Sequence, residues 1–192
     1  MNCYEPEGRK IGRAINQRYC ASIGGLQEAM AEERILEGWG IRVSADHRDL
    51  LVDLGGIQGV IPHSEGALGM EDGSTRDIAL ITRVGKPVCF VVIGFEPQPD
   101  GSLRPILSRR RAQQHCREEY LNTRIAGDII DARVTHLEPF GCFVDIGCGI
   151  ASLLPIDAIS VSRIAHPADR FRVGEEIRVV VRGRDDKGRI TL

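Results

Sequence analysis

The chain has 192 residues, room for one large domain or two small ones, and 42% of them are hydrophobic, enough for a packed core. Its net charge of −2 excludes a nucleic-acid binder that works by bulk positive charge, although charge can still be local. No stretch approaches the roughly 20 apolar residues of a membrane span, and the opening MNCYEPEGRK is too polar for a secretion signal, so a cytoplasmic protein with no membrane partner is expected.

In chain order, residues 1–35 form an N-terminal extension. Leu26, Met30 and Leu36 trace one apolar stripe and predict a helix over 23–35, whereas residues 1–20 are expected to be poorly ordered. Residues 36–110 carry short apolar runs, among them LLVDLG and PVCFVVIGF. The second run is apolar on both faces and needs a cover, from the N-terminal segment, the following helix or the second half of the chain. That helix is expected over 111–125, because SRRRAQQHCREEYLNTR has helix-forming composition and neither glycine nor proline.

From 126 to 192 the pattern alternates. Ile130, Ala132 and Val134 oppose Asp131, Arg133 and Thr135; Cys142, Val144 and Ile146 oppose Phe143 and Asp145; Ile177, Val179 and Val181 oppose Arg178 and Arg182. Strands with one wet face suit antiparallel sheets. Turn signals separate them at Glu138-Pro139, Gly147-Cys148-Gly149 and Asp186-Lys187-Gly188, and a small helical piece is expected near 163–171.

The segment FVDIGCGIASLLP contains D-x-G-x-G, which resembles the glycine loop of a methyltransferase. Such a loop needs a helix directly after it to hold the ligand. Here Pro155 follows within six residues of Gly149, and too little chain remains for further βαβ units. The stretch is therefore read as a turn between two strands.

The chain also repeats itself. Leu51-Val52-Asp53-Leu54-Gly55 is echoed by Phe143-Val144-Asp145-Ile146-Gly147, Ile61-Pro62 by Leu154-Pro155, and Asp100 and Arg104 by Asp185 and Arg189. The fold class expected is all-β: two five-stranded Greek-key OB barrels in tandem, over 36–110 and 126–192, joined by a short helix.

The second repeat resembles the S1-type RNA-binding domain, through GDIIDARVTHLEPFGCFVDIG, RIAHPADRF, GEEI and DDKGRITL. The first resembles it more loosely, through LLVDLGGIQGVIPHSE and GSLRPILSRRR, and the tandem is similar to the ribosomal S1-like proteins of Gram-positive anaerobes. The resemblance implies an OB barrel that binds single-stranded RNA without catalysis. In the family the last strand usually continues Leu-Ser, as Leu107-Ser108 does here; the chain stops at Leu192, which predicts a longer parent protein with further copies.

The residues supply a physical reason for RNA binding. Phe143 is an aromatic on the wet face of a strand, where single-stranded bases stack. Phe140 lies three residues earlier, and Gly141 between them permits a bulge that brings both rings to one side. By the resemblance, Phe140, Gly141, Phe143, Asp185 and Arg189 fall on the family's binding positions, while Pro155 stands where a histidine is usual. Further candidates for the nucleic-acid surface are His136, Arg182, Lys187, Arg104 and His63, with Arg163, His166, Arg170 and Arg172 at the rim. The first repeat departs from the pattern: Arg48 and Leu51 fall where Phe140 and Phe143 do, and His63 is one residue past Pro62. It is expected to be a degenerate copy that docks protein instead.

Neither a Ser/His/acid set nor a carboxylate pair has the local context of an active site. The six cysteines Cys3, Cys20, Cys89, Cys116, Cys142 and Cys148 lack metal-site spacing, and Cys89, Cys142 and Cys148 sit in apolar runs as small core residues. The expected function is non-catalytic, with no metal, cofactor or small-molecule substrate. The expected partner is single-stranded RNA (messenger or ribosomal), with the small ribosomal subunit as a further candidate. The alternative is a protein-docking module that anchors an S1-like chain to the ribosome or an RNA-processing complex.

Overall fold

The structure, a computed structural model, describes residues 4–46 and 48–192. Cys3 lies outside the described residues. The chain divides into two compact units, one holding residues 7–115 and the other residues 4–6 with 116–192.

In the first unit, helices α1 (Ala14–Cys20) and α2 (Ile23–Ala31) precede strands β1 (Leu36–Val43), β2 (Leu50–Asp53) and β3 (Gln58–Ile61). A short α3 (Ile78–Ile81), strands β4 (Pro87–Pro97) and β5 (Leu103–Ser108), and α4 (Arg109–His115) complete it. The strands close into a barrel in the order β1-β2-β3-β5-β4. Its one parallel contact, Val60 beside Ile106 between β3 and β5, is the seam of an OB-type barrel. Leu36, Leu50, Val52, Ile61, Val88, Phe90, Val92 and Leu107 fill the interior.

Both faces of β4 are buried from Val88 to Val92. Val88, Phe90 and Val92 point into the barrel, and α2 and α4 pack against the strand to provide the cover its sequence demanded. The N-terminal segment differs from expectation. Its stripe is Leu26 with Ala29, one turn apart on α2; Met30 is exposed, and Leu36 already belongs to β1. Residues 7–20 are held in place by buried polar contacts that no local pattern announces. The Glu7 carboxylate accepts from Arg109 Nε at 2.7 Å, Arg83 Nη1 at 2.9 Å and the Cys89 amide at 3.1 Å. Burial alone would raise its pKa, but the two guanidiniums and the amide outweigh burial and lower it to about 2. Glu37, buried in β1, accepts from the amides of Gly8, Lys10 and Ile11 at 2.9–3.1 Å. Asn16 exchanges two hydrogen bonds with the Glu37 backbone, at 2.8 and 2.9 Å. These contacts pair backbone groups that would otherwise be stranded in the interior.

In the second unit, helical turns at Cys116–Tyr120 and Leu121–Thr123 lead into strands β6 (Ile129–Glu138), β7 (Gly141–Asp145) and β8 (Ala151–Pro155). Then follow α5 (Ile156–Ile159), a 3-10 turn at Pro167–Asp169, and strands β9 (Glu176–Val180), β10 (Gly183–Arg184) and β11 (Ile190–Thr191). The sheet runs β8-β7-β6-β9, with β10–β11 as a separate hairpin. The expected five-strand closure is therefore looser here than in the first unit. Where β4 runs unbroken over eleven residues, its counterpart is interrupted between Val180 and Gly183. The last strand is two residues long and reaches β8 through the Ser152 hydroxyl, which donates to the Ile190 carbonyl at 2.9 Å.

The alternating pattern of β6 holds, with Ile130, Ala132 and Val134 buried. Cys142 and Val144 of β7 and Ile146 just after it are buried, but Asp145, which shares the face of Phe143, is only 3% exposed as well. Its carboxylate accepts from the amides of Gly147 at 2.8 Å and Gly149 at 3.0 Å, so the turn folds over it. The D-x-G-x-G stretch is thus an aspartate-clasped turn, and strand β8 follows it where a nucleotide site would need a helix. Asp53 clasps Gly55 and Gly56 in the same way in the first unit.

Candidate nucleic-acid interface

The two units share one register. In the first, β1 and β2 pair Trp39 with Asp53 and Gly40 with Val52, then slip at Ile41 so that Arg42 faces Leu51. In the second, β6 and β7 pair Arg133 with Asp145 and Val134 with Val144, then slip at Thr135 so that His136 faces Phe143. Directly opposed residues share a face. Phe143 also faces Leu153 on β8, giving an outward row His136–Phe143–Leu153. The matching row in the first unit is Arg42–Leu51–Val60, which carries no ring.

The bulge expected at Gly141 therefore lies across the ladder, at Thr135, whose hydroxyl donates to the Phe143 carbonyl at 3.1 Å. Gly141 has a different task. A side chain there would sit 2.4 Å from the Leu154 carbonyl oxygen, and its φ of +156° is one that other residues rarely adopt. Phe140, in the turn before β7, is 55% exposed. Its ring meets that of Phe143 edge to face, with centroids 6.3 Å apart.

Phe143 borders a cleft of about 870 Å³ that also takes in Leu153, Pro155, Arg182, Asp185 and Arg189. Asp185 closes the β10–β11 hairpin by accepting from the Lys187 and Arg189 amides at 3.0 and 2.8 Å. It also accepts from Arg189 Nε at 2.7 Å. The Arg189 amide and guanidinium hold its carboxyl below the usual carboxylate range. The Arg189 side chain stays 73% exposed, so the pairing orients it without hiding it. His136, beside Phe143, points its Nε2 at Glu138 Oε1, 2.7 Å away.

Other candidates stand apart from this cleft. Lys187 is exposed at the hairpin tip and does not border it. Arg170 and Arg172 line a different hollow with Phe171, and the His166 ring accepts from the Ala168 amide to cap the 167–169 turn. Arg104 and His63 belong to the first unit. Arg104 pairs with Glu96 at 2.6 Å, so its echo of the Asp185–Arg189 pair stops at the sequence. His63 sits 2.8 Å from Asp77, which also pairs with Arg48. Arg184, one of the C-terminal arginines but not singled out as a binding candidate, borders the cleft and donates to the Leu121 carbonyl at 2.6 Å. Its only sequence signal is the alternation with Arg182.

The described cysteines Cys20, Cys89, Cys116, Cys142 and Cys148 are free and buried. Burial pushes the Cys20 thiol up to about 11 and raises that of Cys142 as well, which keeps both unreactive at neutral pH. No described helix is long and apolar enough to cross a membrane.

Comparison with known proteins finds relatives for both units. Residues 124–192 match the family described as "S1 RNA binding domain". The small ribosomal subunit protein bS1 homolog of Bacillus subtilis is 34% identical over 148 residues, 74% of this chain and 36% of that protein. The bS1 protein of Leuconostoc lactis is 30% identical over 156 residues, 78% of this chain and 34% of that protein. The chain thus spans about a third of the length of these relatives. The solution structure of GSP13 from Bacillus subtilis overlays 36% of this chain and 54% of that one, at 26% identity and a TM-score of 0.34. The segment from 124 to 192, which carries the paired rings and the arginine hairpin, belongs to the S1 domain family.

Proposed function

We propose that this protein is a non-catalytic binder of single-stranded RNA in the translation apparatus, and that it acts through the outer strand face of its second unit. The observation that carries the reading is the Phe140–Phe143 pair, exposed at Phe140 and half-buried at Phe143, where Phe143 borders a cleft together with Arg182 and Arg189. Exposed rings take bases by stacking irrespective of sequence, and guanidiniums meet phosphates or stack on bases in turn. Duplex RNA, whose bases are already stacked, has nothing to offer such rings. The names of the relatives, small ribosomal subunit proteins, support the ribosomal setting and the small subunit as a partner; the RNA bound there would be messenger or ribosomal.

The test is fluorescence anisotropy with labelled single-stranded RNA, double-stranded RNA and single-stranded DNA of one sequence. Single-stranded RNA should bind best. Equal or tighter binding of the duplex would refute the stacking model.

A further inference from the structure

We propose that the outer strand face of the first barrel carries a second stacking site for single-stranded nucleic acid, built on Trp39. Across the barrel Trp39 faces Pro87 on β4 and Asp53 on β2, and Asp53 faces Gln58 on β3. Asp53 and Leu51 point to the same side of β2, because they are two residues apart. Leu51 holds the register position of Phe143. Trp39 is therefore one row along the same face, at the position that Arg133 occupies in the second unit.

The indole is 47% exposed, an unusual state for a ring of its size. Its support is rigid. Gly40 donates to the Lys86 carbonyl at 3.0 Å and accepts from the Gly85 amide at 2.8 Å, and a side chain at Gly40 would lie 2.3 Å from the Arg83 carbonyl oxygen. Two exposed cations are close in the strand register: Arg42, in the next row of the same face, and Lys86, which precedes the strand partner Pro87. An exposed π-face with cations within a row of it suits a base and its phosphates. The anion paired with Trp39 across the ladder, Asp53, is turned toward the Gly55 and Gly56 amides. The exposed Ile41 would also suit a protein partner, but the row of Trp39, Asp53 and Gln58 with Arg42 beside it is too charged for the core of a protein interface.

Trp39 is the only tryptophan, so its emission reports on this site alone. The full chain and the F140A/F143A variant are titrated with short oligouridylate, exciting at the red edge of the indole band, and labelled oligouridylate is followed by anisotropy in parallel. Saturable quenching of Trp39 in both proteins is expected. Adding W39A to F140A/F143A should weaken the remaining binding about five- to 100-fold, whereas W39F should largely retain it. Unchanged indole emission while anisotropy reports binding would overturn the Trp39 site and leave the second-unit site standing. Loss of all binding in F140A/F143A would do the same. Emission that shifts with protein concentration alone would assign the face to self-association and refute the proposal. Wild-type affinity in F140A/F143A with Trp39 still quenched would support the Trp39 site and count against the Phe pair.

Discussion

Phe140 and Phe143 meet edge to face at 6.3 Å although only three residues separate them. On a straight strand that spacing would send them to opposite faces. Phe140 escapes the alternation because it sits in the turn before β7, where its carbonyl accepts from the Ile156 amide at 3.0 Å and ties the turn to the start of α5. The pair forms an L-shaped ledge, the surface proposed above for stacking two successive bases.

Changing both rings to alanine should weaken single-stranded RNA binding at this face by about 2–5 kcal/mol. Thermal stability should fall less than for Val144→Ala, which opens a cavity in the core and costs roughly 1–3 kcal/mol. Anisotropy and a melting curve on each variant separate the two effects. A double variant that unfolds while Val144→Ala does not would place the rings in the core.

Gly141→Ala combines an unfavourable φ with a clash against the Leu154 carbonyl oxygen. A loss of about 2–4 kcal/mol in urea unfolding is expected. Amide exchange should quicken along β7 and β8 ahead of β6 and β9, because Gly141 faces Pro155 at the end of the β7–β8 ladder.

RNA binding should weaken with salt along a shallow slope, equivalent to about two to four ion pairs, because the chain is acidic overall. Arg189→Ala should lower that slope by about one. Asp185 orients Arg189 only while ionised. Its pKa is lowered in the folded state, so its contribution to the hairpin is complete above the ordinary carboxylate range and is lost as pH falls through the lowered value. Titration of the hairpin amides by NMR checks this. A change centred above the ordinary range would contradict it.

The two buried glutamates of the first unit should act with opposite sign. Glu7 has a folded pKa of about 2 against an ordinary 4.5, so its stabilisation is present above 4.5 and is lost as pH falls toward 2. Glu7→Gln should cost about 3–5 kcal/mol at neutral pH, because Arg109 keeps its charge without the carboxylate. Burial raises the pKa of Glu37 against the pull of three amides, so ionising it costs stability as pH rises from the ordinary value through the raised one. Urea midpoints across the acid range should lose their steepest acid drop in E7Q. In E37Q the decline with rising pH should disappear.

Which stretches are strands, and which of their faces are dry, is legible from local sequence. Alternation at Ile130, Ala132 and Val134, and at Cys142, Val144 and Ile146, is a local record of one buried face, and the glycine–proline punctuation around it marks the turns. It also placed Phe143 on the open side and excluded a nucleotide loop, because Pro155 so soon after Gly149 forbids the helix such a loop requires. Whatever depends on partners distant in the chain was settled by the packing of the fold. Asp145 is buried because its turn folds back over its carboxylate, which alternation along one strand does not reveal. The slip at Thr135, and its twin at Ile41, are set by pairing between strands, so they brought Phe143 beside His136 and left Trp39 outward without any local sign. Residues 7–20 are ordered through Glu7, Asn16 and Glu37, contacts that span up to about a hundred residues, and their polar letters read as a solvated tail until Arg109 and β1 are in place. A one-dimensional pattern reports the average environment of a face, whereas the pairing of individual charges, bulges and rings is fixed by which strands become neighbours.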